Sequence, residues 1–469
     1  MTLVHRVLYP KPIISLEDYV VKGGGKGLKA AHRLEAQAII QRVLDSGVRG
    51  RGGAGFPAGR KWETVAANRV SDVPATVIVN AAEGEPGTFK DRTILRRNPY
   101  VVLEGALIAA RAVGADFIIV ATKQAFEGEI ERIRAAMEEV EDAGWSEGVQ
   151  MAVFEGPDEY LYGEESALLE TIDRGWPFPR VVQVFRRGIG TAVPEDTPAA
   201  PALVNNTETL ANIPRIVARG PDWFRTVGTP ESPGTVVCTV TGDTRRHGVG
   251  EVRMGTSLRN VIEAIGGGPR PGRQIKVVLS GVATGVIPEK HLDTPVSYEG
   301  LGAIGSGVGS GGFIVFDDTA DIPAIAAGVA RFLAVESCGQ CSPCKLDGLT
   351  LANSLAKLNT PQAKEHDLEV VRYRIGTVAD RSRCFLASQQ QAVLASLLEH
   401  FPDEFDGHVT GRLQPVEPVL IAELLDIRNG DAIVDERFRR KQPDWTYNRM
   451  DSGTVPVERY AAVPSPWRF

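Results

Sequence analysis

The chain has very little cysteine: five residues in 469, four of them at Cys338, Cys341, Cys344 and Cys384 and the fifth at Cys238. So few thiols exclude a disulfide scaffold and suit an intracellular protein with one dedicated thiol site. A basic stripe is also missing. Formal net charge is -7, which argues against a nucleic-acid surface. Long apolar runs are absent too. The best stretch, Val101 to Val113, is interrupted by Glu104 and Arg111 and is too short to span a bilayer, so it reads as a buried helix. Met1-Thr2-Leu3-Val4-His5-Arg6 lacks the continuous apolar core of a secretory signal, and no internal repeat is visible. A cytoplasmic protein without direct membrane insertion is expected, any membrane link running through partner subunits. The length suggests about three domains.

What is present is more specific. Cys338-Gly339-Gln340-Cys341-Ser342-Pro343-Cys344 is a CxxCxxC run with a distant fourth thiol at Cys384. Three thiolates from one tight turn can each reach a different iron of a [4Fe–4S] cluster, the fourth returning from elsewhere. Structural zinc also takes four thiolates, but its ligands usually arrive as two separated pairs. The spacing therefore favours iron–sulfur and single-electron transfer, with zinc as the rival.

Periodicity predicts a helix from about Ala31 to Ser46, stopped by Gly47, then strands at Thr76–Asn80, Phe117–Ala121 and Met151–Phe154 separated by helices at Tyr100–Val113 and Phe126–Ala143. That alternation implies a largely parallel α/β sheet over residues 1–233. Residues 234–318 read as a small α+β unit, with strands at Thr235–Thr241, Ile275–Ser280 and Phe313–Phe316 around a helix at Leu258–Ile265. Residues 319–407 turn helical, at Ile325–Val335, Leu349–Leu358, Leu368–Val378 and Leu386–Phe401, and clasp the cysteine loop. Residues 408–469, proline-bearing and with the basic patch Arg437-Phe438-Arg439-Arg440-Lys441, show no clear period. They read as either a subunit-docking arm or a solvated extension.

Gly50, Gly52 and Gly55 formally match GxGxxG, but the run follows a helix where a dinucleotide fingerprint should follow a strand. The glycines still let backbone N–H groups approach a phosphate or a flavin ring, with Arg51, Arg60 and Lys61 available to neutralise charge. A flexible turn is the plainer alternative. The acidic segment Asn80–Arg92 follows a predicted strand, where open α/β sheets place ligand loops. In Tyr160–Leu168, glycine and two carboxylates stand at a helix start, where capping competes with a site role.

Five motifs stand in order between Arg49 and Cys344: RGRGGAGFPAGRKW (Arg49–Trp62), NAAEGEPGTFKDR (Asn80–Arg92), YLYGEESALLE (Tyr160–Glu170), VNNTETLANIP (Val204–Pro214) and ESCGQCSPC (Glu336–Cys344), and the resemblance they carry extends over most of residues 14–406. Together they resemble the NADH-binding flavoprotein subunit of respiratory NADH:quinone oxidoreductase, a module shared with NAD-linked hydrogenases and formate dehydrogenases. The resemblance implies an α/β FMN-binding domain, a β-grasp-like domain (234–318) and a helical bundle carrying a [4Fe–4S] cluster. It assigns Gly52, Gly53, Gly55, Lys61, Asn80, Tyr160, Gly163, Glu164, Asn205 and Asn206 to FMN. Phe56, Glu83, Glu85, Glu165 and Phe178 go to NADH, and Cys338, Cys341, Cys344 and Cys384 to the cluster. It implies hydride transfer from NADH to FMN with no protein general base, then single electrons to the cluster.

No thioredoxin-like domain stands in front, so a separate small [2Fe–2S] thioredoxin-like subunit and a larger iron–sulfur subunit are expected partners. The alternatives are a non-catalytic electron relay or scaffold, and the same module run in reverse to reduce NAD. Departures from the family are Ala82 for a common aspartate, Tyr162 where cysteine is frequent, the partial loop Asp173–Arg180, and Arg383 beside Cys384.

Overall fold

Four strands form the first sheet: β1 (Ala75–Ala81) and β2 (Ala115–Lys123), both rich in β-branched residues, β3 (Gln150–Gly156) and β4 (Ala202–Asn206). A computed structural model of the chain describes residues 3–69, 73–190 and 200–443 and sets these strands in the order β3-β2-β1-β4, every pairing parallel. Strands buried on both faces read as continuous apolar runs, which is why β1 and β2 were legible in sequence. The chain builds β2 and β3 on one side of β1 and returns to place β4 on the other. That reversal opens a crevice at the carboxyl ends of β1 and β4, where Asn80 and Asn206 are in register.

The helix Pro99–Val113 backs this sheet, and of its residues only Arg111 reaches the surface. Glu104 survives inside because three donors satisfy it: the Tyr19 hydroxyl at 2.6 Å and the Gly25 and Leu28 N–H groups at 2.9 Å each. The helix expected over residues 31–46 starts five residues later, at Ala36–Ser46, after a separate short helix Lys26–Ala31, and ends at Gly47 with φ +68°. Ile39, Ile40 and Val43 are its buried face, as the periodicity required.

A second sheet follows, from β5 (Thr235–Gly242), β6 (Gly248–Arg253), β7 (Ile275–Ser280), β8 (Ile287–Pro288) and β9 (Gly312–Asp317). Its order is β6-β5-β9-β7-β8; β5 and β9 are parallel and the other pairs antiparallel, with the helix Leu258–Gly266 packed against it. β6 and β8 escaped the sequence reading because one is glycine-rich and the other two residues long.

Helices Ile322–Val335, Ser342–Leu358, Glu365–Thr377, Leu386–His400 and Pro402–Val409 form the bundle. The second begins seven residues earlier than expected. Pro343 lies in its first turn, where a fixed φ and a missing N–H are tolerated, so Cys341 caps the helix and Cys344 is helical.

As far as Pro443 the segment beyond packs on this chain and is not a solvated extension. It carries the hairpin β10 (Leu424–Arg428) and β11 (Asp431–Val434), and Ile421, Leu424 and Phe438 are buried. Each such burial contributes about 1.5–3 kcal/mol, enough to hold a strap down. The remainder of that expectation, residues 444–469, lies outside the described residues. Among the described residues no helix is long and apolar enough to cross a membrane.

Candidate functional site

The glycine loop is closed on itself before it meets the sheet. The Gly50 N–H donates to the Phe56 carbonyl at 2.8 Å and the Ala58 N–H to the Val48 carbonyl at 3.0 Å, feeding the chain into the helix Ala58–Ala67. Gly55 is constrained twice, by φ +64° and by the Tyr298 ring, into which a Cβ would be driven. A Cβ on Gly52 would stand 3.1 Å from that of Asn206, so the loop lies directly over the end of β4. From the following helix, Lys61 Nζ donates to the Val204 carbonyl at 3.1 Å and pairs with Glu165 at 2.8 Å. Its neighbour Trp62 donates to Asn205 Oδ1 at 2.7 Å.

Two of the three expected phosphate cations are engaged elsewhere. Arg51 is buried and donates to the Thr235 carbonyl at 2.9 Å and the Tyr298 hydroxyl at 3.0 Å, while Arg60 pairs with Glu63 on the surface. The spacing of cations in a loop does not tell which way each one turns. Lys61 alone of the three points into the crevice region.

The other expected residues gather around the same strand ends. Asn80 Nδ2 donates to the Gly163 carbonyl at 2.8 Å, and its Oδ1 accepts from the Ala82 N–H at 3.2 Å. A Cβ on Gly163 would come within 2.9 Å of the Ala82 carbonyl. Glu164 caps the helix Glu165–Arg174, one oxygen accepting from Ser166 and Ala167 N–H groups at 3.0 and 2.8 Å, and burial pushes its carboxyl up. Asn206 caps Thr207–Arg219 and binds Lys90 and Asp91 at 3.2 and 2.6 Å.

Glu83 faces inward, accepting from the Asp91 N–H at 3.0 Å and from Arg92 Nε at 3.1 Å. Glu85 accepts from the Tyr160 hydroxyl and the Val282 N–H, both at 2.6 Å. Burial raises its carboxyl to about 7. Phe56 is half exposed at the rim, and Phe178 stands 6.2 Å from Trp176, ring to ring.

The four expected ligand thiols line one concavity with Leu161, Pro179, Ser337, Arg383, Leu386 and Ala387. Gly339, at φ +72°, makes the tight turn between Cys338 and Cys341. Cys341 and Cys344 sit at the start of Ser342–Leu358 and Cys384 just before Leu386–His400. Two helix N-termini therefore present partial positive charge to an anionic group. Burial first, and neighbouring thiols after it, push the thiols of Cys344 and Cys384 up to about 11 and 12. Such thiols ionise readily only beside a metal, so the donor set fits the cationic core of an iron–sulfur cluster, which becomes anionic overall once four thiolates ligate it. No three His, Cys, Asp or Glu groups among the described residues converge on a single ion. Four thiols lining one concavity suit a cubane with one thiolate per iron.

Residues 43–215 match the family model described as the Nuo51 FMN-binding domain, and residues 324–408 match the NADH-ubiquinone oxidoreductase-F iron-sulfur binding region. An NADH-quinone oxidoreductase F subunit of Rhizobium meliloti (strain 1021), numbered 2 in that organism, is 35% identical over 411 residues, covering 85% of this chain and 96% of its own. The chain belongs to the family of NADH-quinone oxidoreductase F subunits. The F subunit of Aquifex aeolicus (strain VF5) is 33% identical over 414 residues, covering 86% of this chain and 93% of its own. Among solved structures, an NAD+-reducing [NiFe]-hydrogenase in the H2-reduced state matches with a TM-score of 0.73 and 32% identity, over 88% of this chain and 69% of that one.

In this member of the F-subunit family, several residues that build the site were not singled out in sequence. Lys90, fully buried, pairs with Asp91 at 2.8 Å and Glu208 at 3.0 Å behind Asn206. Tyr298 roofs the glycine loop from the second sheet's side, its hydroxyl donating to the Gly50 carbonyl at 2.8 Å. Gln389 meets the Tyr160 hydroxyl at 3.2 Å. Lys90 and Asp91 stood inside a quoted motif and could have been questioned as a buried pair. Tyr298 and Gln389 carry no local signal.

Proposed function

We propose that the chain is the electron-input flavoprotein subunit of a larger redox complex, oxidising NADH and delivering electrons one at a time to partner iron–sulfur subunits. The observation that carries this reading is one turn of chain: the Tyr160 hydroxyl bonds Glu85 at the crevice, and the next residue, Leu161, lines the thiol concavity. A group in the crevice and a cluster on the thiols would therefore be neighbours.

Bound FMN supplies acceptance of a hydride and release of single electrons. Gly52, Gly53 and Gly55 let it approach backbone amides, with Lys61, Asn80, Tyr160, Gly163, Glu164, Asn205 and Asn206 completing its pocket. Phe56 and Phe178 at the rim, with Glu83, Glu85 and Glu165, orient the nicotinamide nucleotide, Glu83 by shaping the loop from within. Cys338, Cys341, Cys344 and Cys384 hold a [4Fe–4S] cluster. Residues 234–318 form a β-grasp-like domain that closes the crevice through Tyr298 and Val282. A small [2Fe–2S] thioredoxin-like subunit and a larger iron–sulfur subunit would receive the electrons, at a membrane reached only through such partners. Likeness to an NAD+-reducing hydrogenase favours one second reading, the same residues serving NAD reduction.

The test is the visible spectrum of anaerobically purified protein before and after NADH. Flavin bands near about 450 nm over an iron–sulfur shoulder, both bleaching, are expected. A shoulder with no flavin response leaves only a relay, and a colourless protein with stoichiometric zinc overturns the cluster.

A further inference from the structure

The residues from Val419 to Lys441 lie beyond both matched family regions, yet they reach the crevice from two sides. The Val419 N–H donates to the Ala324 carbonyl at 3.1 Å, and the Phe438 ring stands 5.1 Å from Phe332, fixing the strap on the bundle. At one end Glu423 pairs with buried Lys123, and both stand over Gly84, where a Cβ would come within 2.9 Å of Glu423 and 2.7 Å of Lys123. The adjacent Leu424 carbonyl accepts from Arg92 Nη1 at 2.6 Å, and the same guanidinium holds Glu83. At the other end Lys441 is clasped by Glu159 at 2.8 Å and Glu336 at 2.6 Å. Glu336 also accepts from the Tyr160 N–H at 3.0 Å. The loop bearing Glu85 and the turn bearing Tyr160 are thus each tied to the strap.

We propose that this strap is a positioning element of the site, Glu423 fixing the acidic loop and Lys441 fixing the Tyr160 turn so that the Glu85–Tyr160 pair is held in register. Its meaning for catalysis rests on the function proposed above; its effect on the loop does not. A strap that merely adds buried area would stabilise all three regions alike. Instead its charged groups end on the two segments that meet at Glu85. The groups facing that carboxyl are the Tyr160 hydroxyl, the Val282 N–H and, from the strap, the Glu423 carboxylate. Burial raises Glu85 first and Glu423 adds to it, while the two hydrogen bonds oppose the rise. Removing the charge at 423 therefore lowers it.

Glu423→Gln and Lys441→Met in the full-length holoprotein test this, with Glu423→Asp and Lys441→Arg as conservative partners. Hydrogen exchange is read by segment, and kcat/KM for NADH with an artificial acceptor is followed against pH. Exchange over residues 80–92 should rise roughly tenfold in the Glu423→Gln protein, and that over 159–165 similarly in Lys441→Met, with the rest of the chain unchanged. The ionisation near pH 7 should move to lower pH in Glu423→Gln and return in Glu423→Asp. Unchanged exchange overturns the proposal, and so does uniform acceleration with an unmoved pH profile, the mark of a merely structural strap. Local exchange as expected without any NADH oxidation supports the strap and counts against the proposed function alone.

Discussion

Replacing Lys90 by methionine removes the ammonium that lies between Asp91 at 2.8 Å and Glu208 at 3.0 Å, all three side chains being buried. The methionine fills similar volume, so the cost is electrostatic. Breaking one partner out of a buried pair destabilises by roughly 3–5 kcal/mol, because the remaining charge stays desolvated. For a cooperative unit of about 200 residues each kcal/mol lowers the melting temperature by about 2–4 °C, giving about 6–20 °C in all. The loss should depend on pH. Burial raises the Asp91 carboxyl and Lys90 opposes that rise, so without Lys90 it climbs further above its unfolded value. A raised carboxyl contributes stability that is present below the unfolded pKa near ~3.9 and lost as pH rises through the folded pKa. Thermal melts of both proteins at pH 5 and pH 8 should therefore show the larger deficit at pH 8. A deficit under about 2 °C, or one equal at both pH values, would refute the claim that these charges are out of water's reach.

Gly55→Ala should abolish flavin retention, since the residue sits at φ +64° and its Cβ meets the Tyr298 ring; Tyr298→Ala in the same chain should restore only part, because the backbone strain of about 1–2 kcal/mol remains. Flavin released on denaturation reads both variants. Tyr160→Phe removes a hydrogen bond that holds the Glu85 carboxylate, so the ionisation near 7 in kcat/KM should move to higher pH; an unmoved profile would show that Glu85 does not govern it. Arg383 donates to Gln340 at 2.9 Å, and Gln340 in turn lies 3.4 Å from Cys338 Sγ. Equilibrium redox titration of Arg383→Ala should show the cluster's midpoint falling by roughly 20–50 mV, a modest figure because the guanidinium is exposed. No fall would remove the arginine from the cluster's electrostatics. Cys384→Ser should lower iron to well below four per chain while flavin stays bound.

The parts legible in sequence were those with a local cause. The thiol spacing, the apolar runs of β1 and β2 and the helix Pro99–Val113 each follow from residues within one segment. Even Glu104, a carboxylate inside an apolar helix, left the prediction intact because its donors come from the preceding segment. What escaped depended on distant partners. β4 ends in two asparagines that weaken its apolar pattern, and it exists because β1 offers a parallel edge. Arg51 looked like a phosphate ligand until Thr235, Tyr298 and Glu208 took it inward. The strap had no period to read, since its hold on the molecule comes from single residues: Ile421 and Phe438 meet the helix Ile322–Val335, Glu423 meets Lys123 of β2, and Lys441 meets Glu159 and Glu336.

The two departures at Ala82 and Tyr162 bear on whether the proposed flavin pocket has decayed. Both residues are buried in one apolar cluster with Ile78, Phe154 and Leu168, the Tyr162 ring standing 6.3 Å from Phe154. In that setting a carboxylate at position 82 would share its surroundings with a large buried ring and lose solvation, so the small apolar residue and the bulky one read as one packing solution. The pocket's polar frame does not depend on the missing carboxylate. Asn80 still holds the Ala82 N–H and the Gly163 carbonyl, with β4's Asn206 level with it across the crevice. The partial loop near Phe178 is likewise built, since Arg180 ties it to Glu170 at 2.6 Å and to the Ser166 hydroxyl at 2.9 Å. A relay that had lost its flavin would have no reason to keep Lys61, Glu85 and Tyr160 each held by two partners at the mouth of an otherwise unused crevice. On physical grounds the catalytic reading is the stronger one.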